Sequence, residues 1–83
     1  MKGYEIVIPK EDPSFTNVKE LTYLTEENVW DNFEDFTIHA NAEDEAEAIF
    51  FASQLLKEFF DRWYKDIDKS LGRLWRKKRY GTN

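Results

Sequence analysis

Residues 42–71 contain neither proline nor glycine, in a chain of only 83 residues. Nothing in that run stops a helix. Carried from 42 to 70, a helix would measure about 43 Å at ~1.5 Å per residue. A compact chain of this length has a radius of gyration near ~12 Å and so a diameter of roughly 30 Å. The helix therefore breaks, or it overhangs its own body and needs a partner along its apolar side. A break is expected near residues 66–68 or at Gly72, with the second segment folding back as an αα-hairpin.

The start of the helix is well marked. Asn41 is a good N-cap and Asp44 then stands at N3. Glu43, Asp44, Glu45 and Glu47 load the first turns with negative charge, which complements the positive end of the helix dipole. From 48 to 56 (AIFFASQLL) only Ser53 and Gln54 are polar. One stripe runs Ala46, Ile49, Ser53, Leu56, Phe60, and a second runs Ala48, Phe51 or Ala52, Leu55, Phe59. A helix apolar around most of its circumference is buried on more than one side. Further on, Phe60, Tyr64, Ile67, Leu71 and Leu74 recur at spacings of 4, 3, 4 and 3, a coiled-coil-like seam too short to define a coiled coil. One small sheet covers one stripe only. Phe51, Leu55, Phe59, Tyr64, Ile67, Leu71 and Leu74 are therefore the candidates for self-association, most simply as a homodimer.

The N-terminal half reads as strands. YEIVI (4–8) alternates and is β-branched, and Pro9 ends it. KEDPSFTN is turn chemistry. VKELTYL (18–24) is a second strand, TEENVWDN fits either a helical turn or a loop, and DFTIHA (35–40) is a third strand with Phe36, Ile38 and Ala40 on one face. The expectation is one α+β domain over 1–83. A small three-stranded antiparallel sheet packs on a long C-terminal helix, whole or broken into two segments, and residues 71–83 form a basic-aromatic helical tail.

Composition bounds the chemistry. With no Cys there are no disulfides and no cysteine-ligated zinc. No 18-residue apolar run exists to span a membrane, and the start MKGYEIVIPKED has too short an apolar run for a secretory signal, so a cytoplasmic setting is expected. His39, the single histidine, has no recognisable nucleophile near it in the chain and reads as a strand residue opposite Phe36 and Ile38. Asp31, Glu34 and Asp35 lie together without the alternating ligands or the glycine of a calcium loop. There is no glycine-rich phosphate loop. No catalytic, cofactor or metal site is expected, and enzyme activity is not.

The charge layout is the positive signal. Residues 1–61 hold 15 acids and 4 bases, and residues 62–83 hold 2 acids and 8 bases, so the net −5 conceals halves of −11 and +6. Residues 73–80, RLWRKKRY, pack five cations and two aromatic rings into eight positions. Arg73, Arg76, Lys77, Lys78 and Arg79 suit phosphates, and Trp75 and Tyr80 suit stacking or a protein pocket. The plainer reading is a cationic helix C-terminus that satisfies the dipole, with Trp75 packed in the seam. To stay available beside so acidic a body, the tail is expected to be held away from it by the long helix. The acidic body either confers solubility or presents spaced negative charge to a groove meant for nucleic acid.

A strand such as DFTIHA feeding NAEDEAEAIFF, in a short, acidic, cysteine-free chain, resembles the small α+β accessory proteins encoded by bacteriophages. Many of these inhibit a host defence or nucleic-acid enzyme by binding it. That resemblance implies a non-enzymatic inhibitor acting stoichiometrically in the host cytoplasm on a host protein, such as a nuclease, a toxin or a defence complex. Two rivals follow from the residues: an RNA- or single-stranded-DNA-binding protein that uses the tail directly, and a structural homo-oligomer.

Overall fold

The structure, a computed structural model, describes residues 1–59 and 64–81, the side chains of 64–66 excepted. It is α+β. The chain runs β1 (Lys2–Pro9), a short 3-10 turn η1 (Pro13–Phe15), β2 (Asn17–Glu20), β3 (Asn28–Asp31), β4 (Asp35–Ala42), α1 (Glu45–Phe59) and α2 (Tyr64–Tyr80). The sheet is antiparallel with strand order β2-β1-β4-β3. The expected three strands are thus four. β2 stops at Glu20, well short of residue 24, and NVWD, left between helical turn and loop by its pattern, is a strand.

Register explains the core. Ile6 lies opposite Val18 on β2 and Ile38 on β4, and Ile38 lies opposite Val29 on β3, so one apolar row crosses all four strands. Tyr4 faces Ala40 and Ile8 faces Phe36 in the neighbouring rows. These side chains pack against Ala48, Ile49, Ala52 and Leu56 of α1 and Ile67 and Leu71 of α2. Ala46 and Ser53 are buried as well, so the described part of the first stripe of α1 lies wholly in the core, and the second stripe joins it through Ala48 and Ala52. Phe60, assigned to that stripe, lies outside the described residues, as does the side chain of Tyr64.

The long helix is two. α2 runs through residues 66–68 and through Gly72 without interruption, so neither expected break site is one. A helical glycine costs only about 1 kcal/mol relative to Ala. Gly72 is buried, and a Cβ built there would stand 3.4 Å from the Arg76 guanidinium, an ordinary van der Waals contact. The start also differs. β4 continues to Ala42, and Asp44, not Asn41, caps α1. The Asp44 carboxylate accepts from the Glu47 amide at 2.8 Å, and Glu47 accepts from the Glu43 amide at 3.0 Å, a reciprocal pair close to a capping box. Asn41 is taken by the sheet, where its side chain accepts from the Thr25 amide (2.9 Å) and donates to the Thr25 carbonyl (2.6 Å).

α1 packs on the sheet, and α2 packs antiparallel along α1 and against η1. Ser53 donates to Asp68 at 2.9 Å, Phe50 meets Trp75 edge-on at 6.1 Å, and Lys78 pairs with Glu45 at 2.8 Å. The seam that seemed to need a partner is therefore used internally. Ile67 and Leu71 are buried, and Leu74 and Trp75 pack against the core. Phe51 and Leu55 also lean on the core, and Phe59 is 52% exposed. The result measures 30 × 30 × 19 Å with a radius of gyration of 11.7 Å. Among the described residues no helix is long and apolar enough to cross a membrane.

Candidate nucleic-acid interface

RLWRKKRY forms the last turns of α2, and the hairpin divides it. On the side facing α1, Lys78 pairs with Glu45 and Arg79 approaches Asp44 at 3.6 Å. The N-terminal acids of α1 that complement its dipole thus also hold the C-terminal cations of α2. The expectation that a long helix keeps the tail away from the acidic body is overturned: the tail folds back against it, and two of its five cations are engaged there. Trp75 is turned toward Phe50 and the core, which leaves it little of its ring to offer a ligand.

The other side of α2 is different. Ser70, Arg73, Leu74, Arg76, Lys77 and Tyr80 line an open cavity of about 560 Å³, and Ser14 of η1 closes it from the opposite wall. Helical spacing does this, since positions 70, 73, 77 and 80 recur every three or four residues and share a stripe. Among the described residues Arg73, Arg76 and Lys77 have no carboxylate partner, and no carboxylate lines the cavity. Arg76 has its guanidinium carbon 5.8 Å from the Trp75 ring centroid, within cation–π range. Tyr80 is 66% exposed and is the ring at this site best placed for stacking. Gly81, at φ 66°, ends α2, its amide bonding to the Lys77 carbonyl at 2.8 Å.

Sequence reasoning found the cations and missed the opposite wall. DPSF looked like plain turn chemistry, yet it folds into a fixed ledge. The Asp12 carboxylate caps η1, accepting from the Ser14 amide (3.1 Å) and hydroxyl (2.6 Å), and the Thr16 hydroxyl donates back to the Pro13 carbonyl (2.6 Å). Asp12 before Pro13 is a readable cap signal. That the ledge sits beside α2 is a tertiary fact.

A second polar group lies on the outer sheet face. His39 Nε2 meets Glu5 Oε2 at 3.0 Å, its Nδ1 meets the Thr25 hydroxyl at 3.1 Å, and Trp30 packs edge-on to the ring at 4.7 Å. The strand position expected for His39 is correct. Its neighbours along the chain suggested no nucleophile, and the hydroxyl that meets its ring is that of Thr25, which arrives through space. What the group does is mechanical. Residues 21–27 must cross the sheet from edge β2 to edge β3, and Thr25 is pinned there by Asn41 and His39. Among the described residues no group of three or more His, Asp or Glu is placed to hold a metal ion. Compared with protein-family models, curated proteins and solved structures, the chain matches none.

Proposed function

We propose that the protein is a non-enzymatic binding protein that holds single-stranded nucleic acid on the basic face of α2. One observation carries this: three cations without carboxylate partners among the described residues share a cavity with two serine hydroxyls and an exposed tyrosine ring, while the remaining two tail cations are paired within the molecule. Cations neutralise phosphates and release counterions, and an exposed ring stacks on an unpaired base. A duplex offers its phosphates but keeps its bases from Tyr80.

The test is fluorescence anisotropy with a labelled oligothymidylate across a salt series. Three phosphate contacts give a slope of log affinity against log salt near about −2, at ~−0.7 per contact for single strands. Replacing Arg73, Arg76 and Lys77 with Glu removes binding. An affinity indifferent both to salt and to these substitutions sinks the reading.

The net charge of −5 favours a second reading, because an acidic body repels a polyanion at long range. In it the same face docks on the acidic surface of a host nucleic-acid-handling protein. This is the stoichiometric, phage-type inhibitor of the resemblance, which needs occlusion and no catalytic group. Charge reversal on α2 then slows association more than it speeds dissociation, and the oligonucleotide does not bind even at low salt.

A further inference from the structure

The cavity between η1 and α2 has two walls of unlike chemistry. We infer that it is a subsite for one nucleoside monophosphate unit, with the phosphate on the α2 wall and the base or sugar edge on the η1 wall. The inference rests on the strand-binding reading of α2 and adds a discrete, oriented unit to it. The volume of about 560 Å³ falls within the ~300–1,000 Å³ usual for small-ligand sites.

The α2 wall is built for an anion. Arg73 and Lys77 share one stripe with Ser70, whose hydroxyl has no partner among the described residues. Arginine matches phosphate oxygens with paired N–H groups, and lysine adds a point charge. The η1 wall is built for something else. The Ser14 hydroxyl proton is already given to Asp12, so its oxygen is left to accept. Behind it stands the Asp12 carboxylate, which repels a phosphate. An acceptor backed by negative charge suits a base N–H or a sugar O–H. Tyr80, exposed beside Arg73 and Lys77, supplies the face on which the base stacks. The ledge is fixed before any ligand arrives, by the Asp12 cap, the Pro13 ring and the Thr16 hydroxyl, so little ordering is needed on binding.

The experiment is an amide NMR titration of the full chain with adenosine monophosphate, with inorganic phosphate and with an oligothymidylate. The nucleotide is expected to shift amides on both walls, at Ser14 and Phe15 and at Ser70, Arg73 and Lys77. Inorganic phosphate is expected to shift only the α2 wall. Ser14→Ala leaves the η1 cap to the backbone amide, and it should weaken the nucleotide severalfold while leaving phosphate unchanged. Arg73→Glu should weaken both more than tenfold. A nucleotide that moves no η1 amide, or that binds Ser14→Ala as well as the parent, overturns the subsite. An oligonucleotide that shifts α2 and bypasses η1 overturns the subsite and leaves the strand-binding face intact. A nucleotide that shifts both walls while no oligonucleotide binds supports the subsite and ends the strand reading.

Discussion

Gly3 is required by space and not by backbone conformation. A Cβ built there falls 2.1 Å from the Tyr23 carbonyl oxygen and 3.2 Å from its carbon, both of them backbone atoms. The crossover of residues 21–27 lies directly on this position, and the Leu21 amide donates to the Gly3 carbonyl at 2.8 Å. Gly3→Ala must push the crossover off the sheet, and overpacking of this kind costs about 1–3 kcal/mol. The melting temperature should fall by at least about 4 °C, since 1 kcal/mol shifts a domain this small by roughly 4–8 °C. An unchanged melting temperature would show that the crossover yields freely. Its neighbour Tyr4 makes a pH prediction. Burial pushes the Tyr4 phenol above its ordinary value of 10.0. Above that pH the unfolded chain gives up the proton and the folded chain keeps it, so stability falls as pH rises past 10. Tyr4→Phe should flatten that alkaline decline, read as melting temperature against pH. At this scale the sequence was legible wherever alternation was long. The alternation of residues 4–8 marked a strand that buries Tyr4, Ile6 and Ile8, and Phe36, Ile38 and Ala40 share the face expected of them. It was illegible where a residue serves a distant partner. Asn41 has the chemistry of an N-cap, and only the arrival of Thr25 makes it a strand tether instead.

At the scale of elements, the two edge strands were the hard ones. NVWD is four residues with one half-buried side chain, Val29, which is too short for a period of two to declare itself. Its pairing, with Val29 opposite Ile38, is set by β4. The helices show the converse. The end of α1 and the start of α2 lie four residues apart in a stretch with no breaker, and only the length argument pointed to a division. The docking of α2 on α1 has an electrostatic component that the ligand reading exploits. Asp44 and Glu45 hold Arg79 and Lys78. Exposed pairs of this kind contribute about 0–1 kcal/mol each, so Asp44→Asn with Glu45→Gln should leave the fold intact, the more so because Asn remains a good N-cap. Freed of these carboxylates, Lys78 and Arg79 become available, beside the three cavity cations, to a strand long enough to reach the α1-facing side of α2. The oligothymidylate should bind more tightly, and its salt slope should steepen toward about −3.5, at ~−0.7 per contact. Equal slopes for parent and double variant would mean that Lys78 and Arg79 never meet the ligand.

At the scale of the whole molecule, two apolar surfaces suggested self-association, and the hairpin removes one of them. Ile67, at 7% exposed, and Leu71, fully buried, now belong to the chain's own core. What remains is the outer flank of α1, where Phe51 and Leu55 are already half-covered and Phe59 is exposed. A stable interface buries about 800 Å² per partner around a well-packed centre. The accessible surface of the chain is 5743 Å² in all, so a dimer would have to enlist far more of it than one narrow helix flank. The sequence suggested a partner because apolar periodicity records how much of a helix is buried, not whether the cover comes from another chain or from its own next helix. The radius of gyration of 11.7 Å, close to the ~12 Å of a compact chain of this length, is what internal cover gives. Light scattering at micromolar concentration should therefore return the mass of one chain, 10.0 kDa. Twice that mass would return the α1 flank to the interface, and Phe59→Ser would then have to restore the monomer. A dimer that survives that substitution would mean that the contact lies elsewhere, with the open edges of β2 and β3 the next surfaces to block.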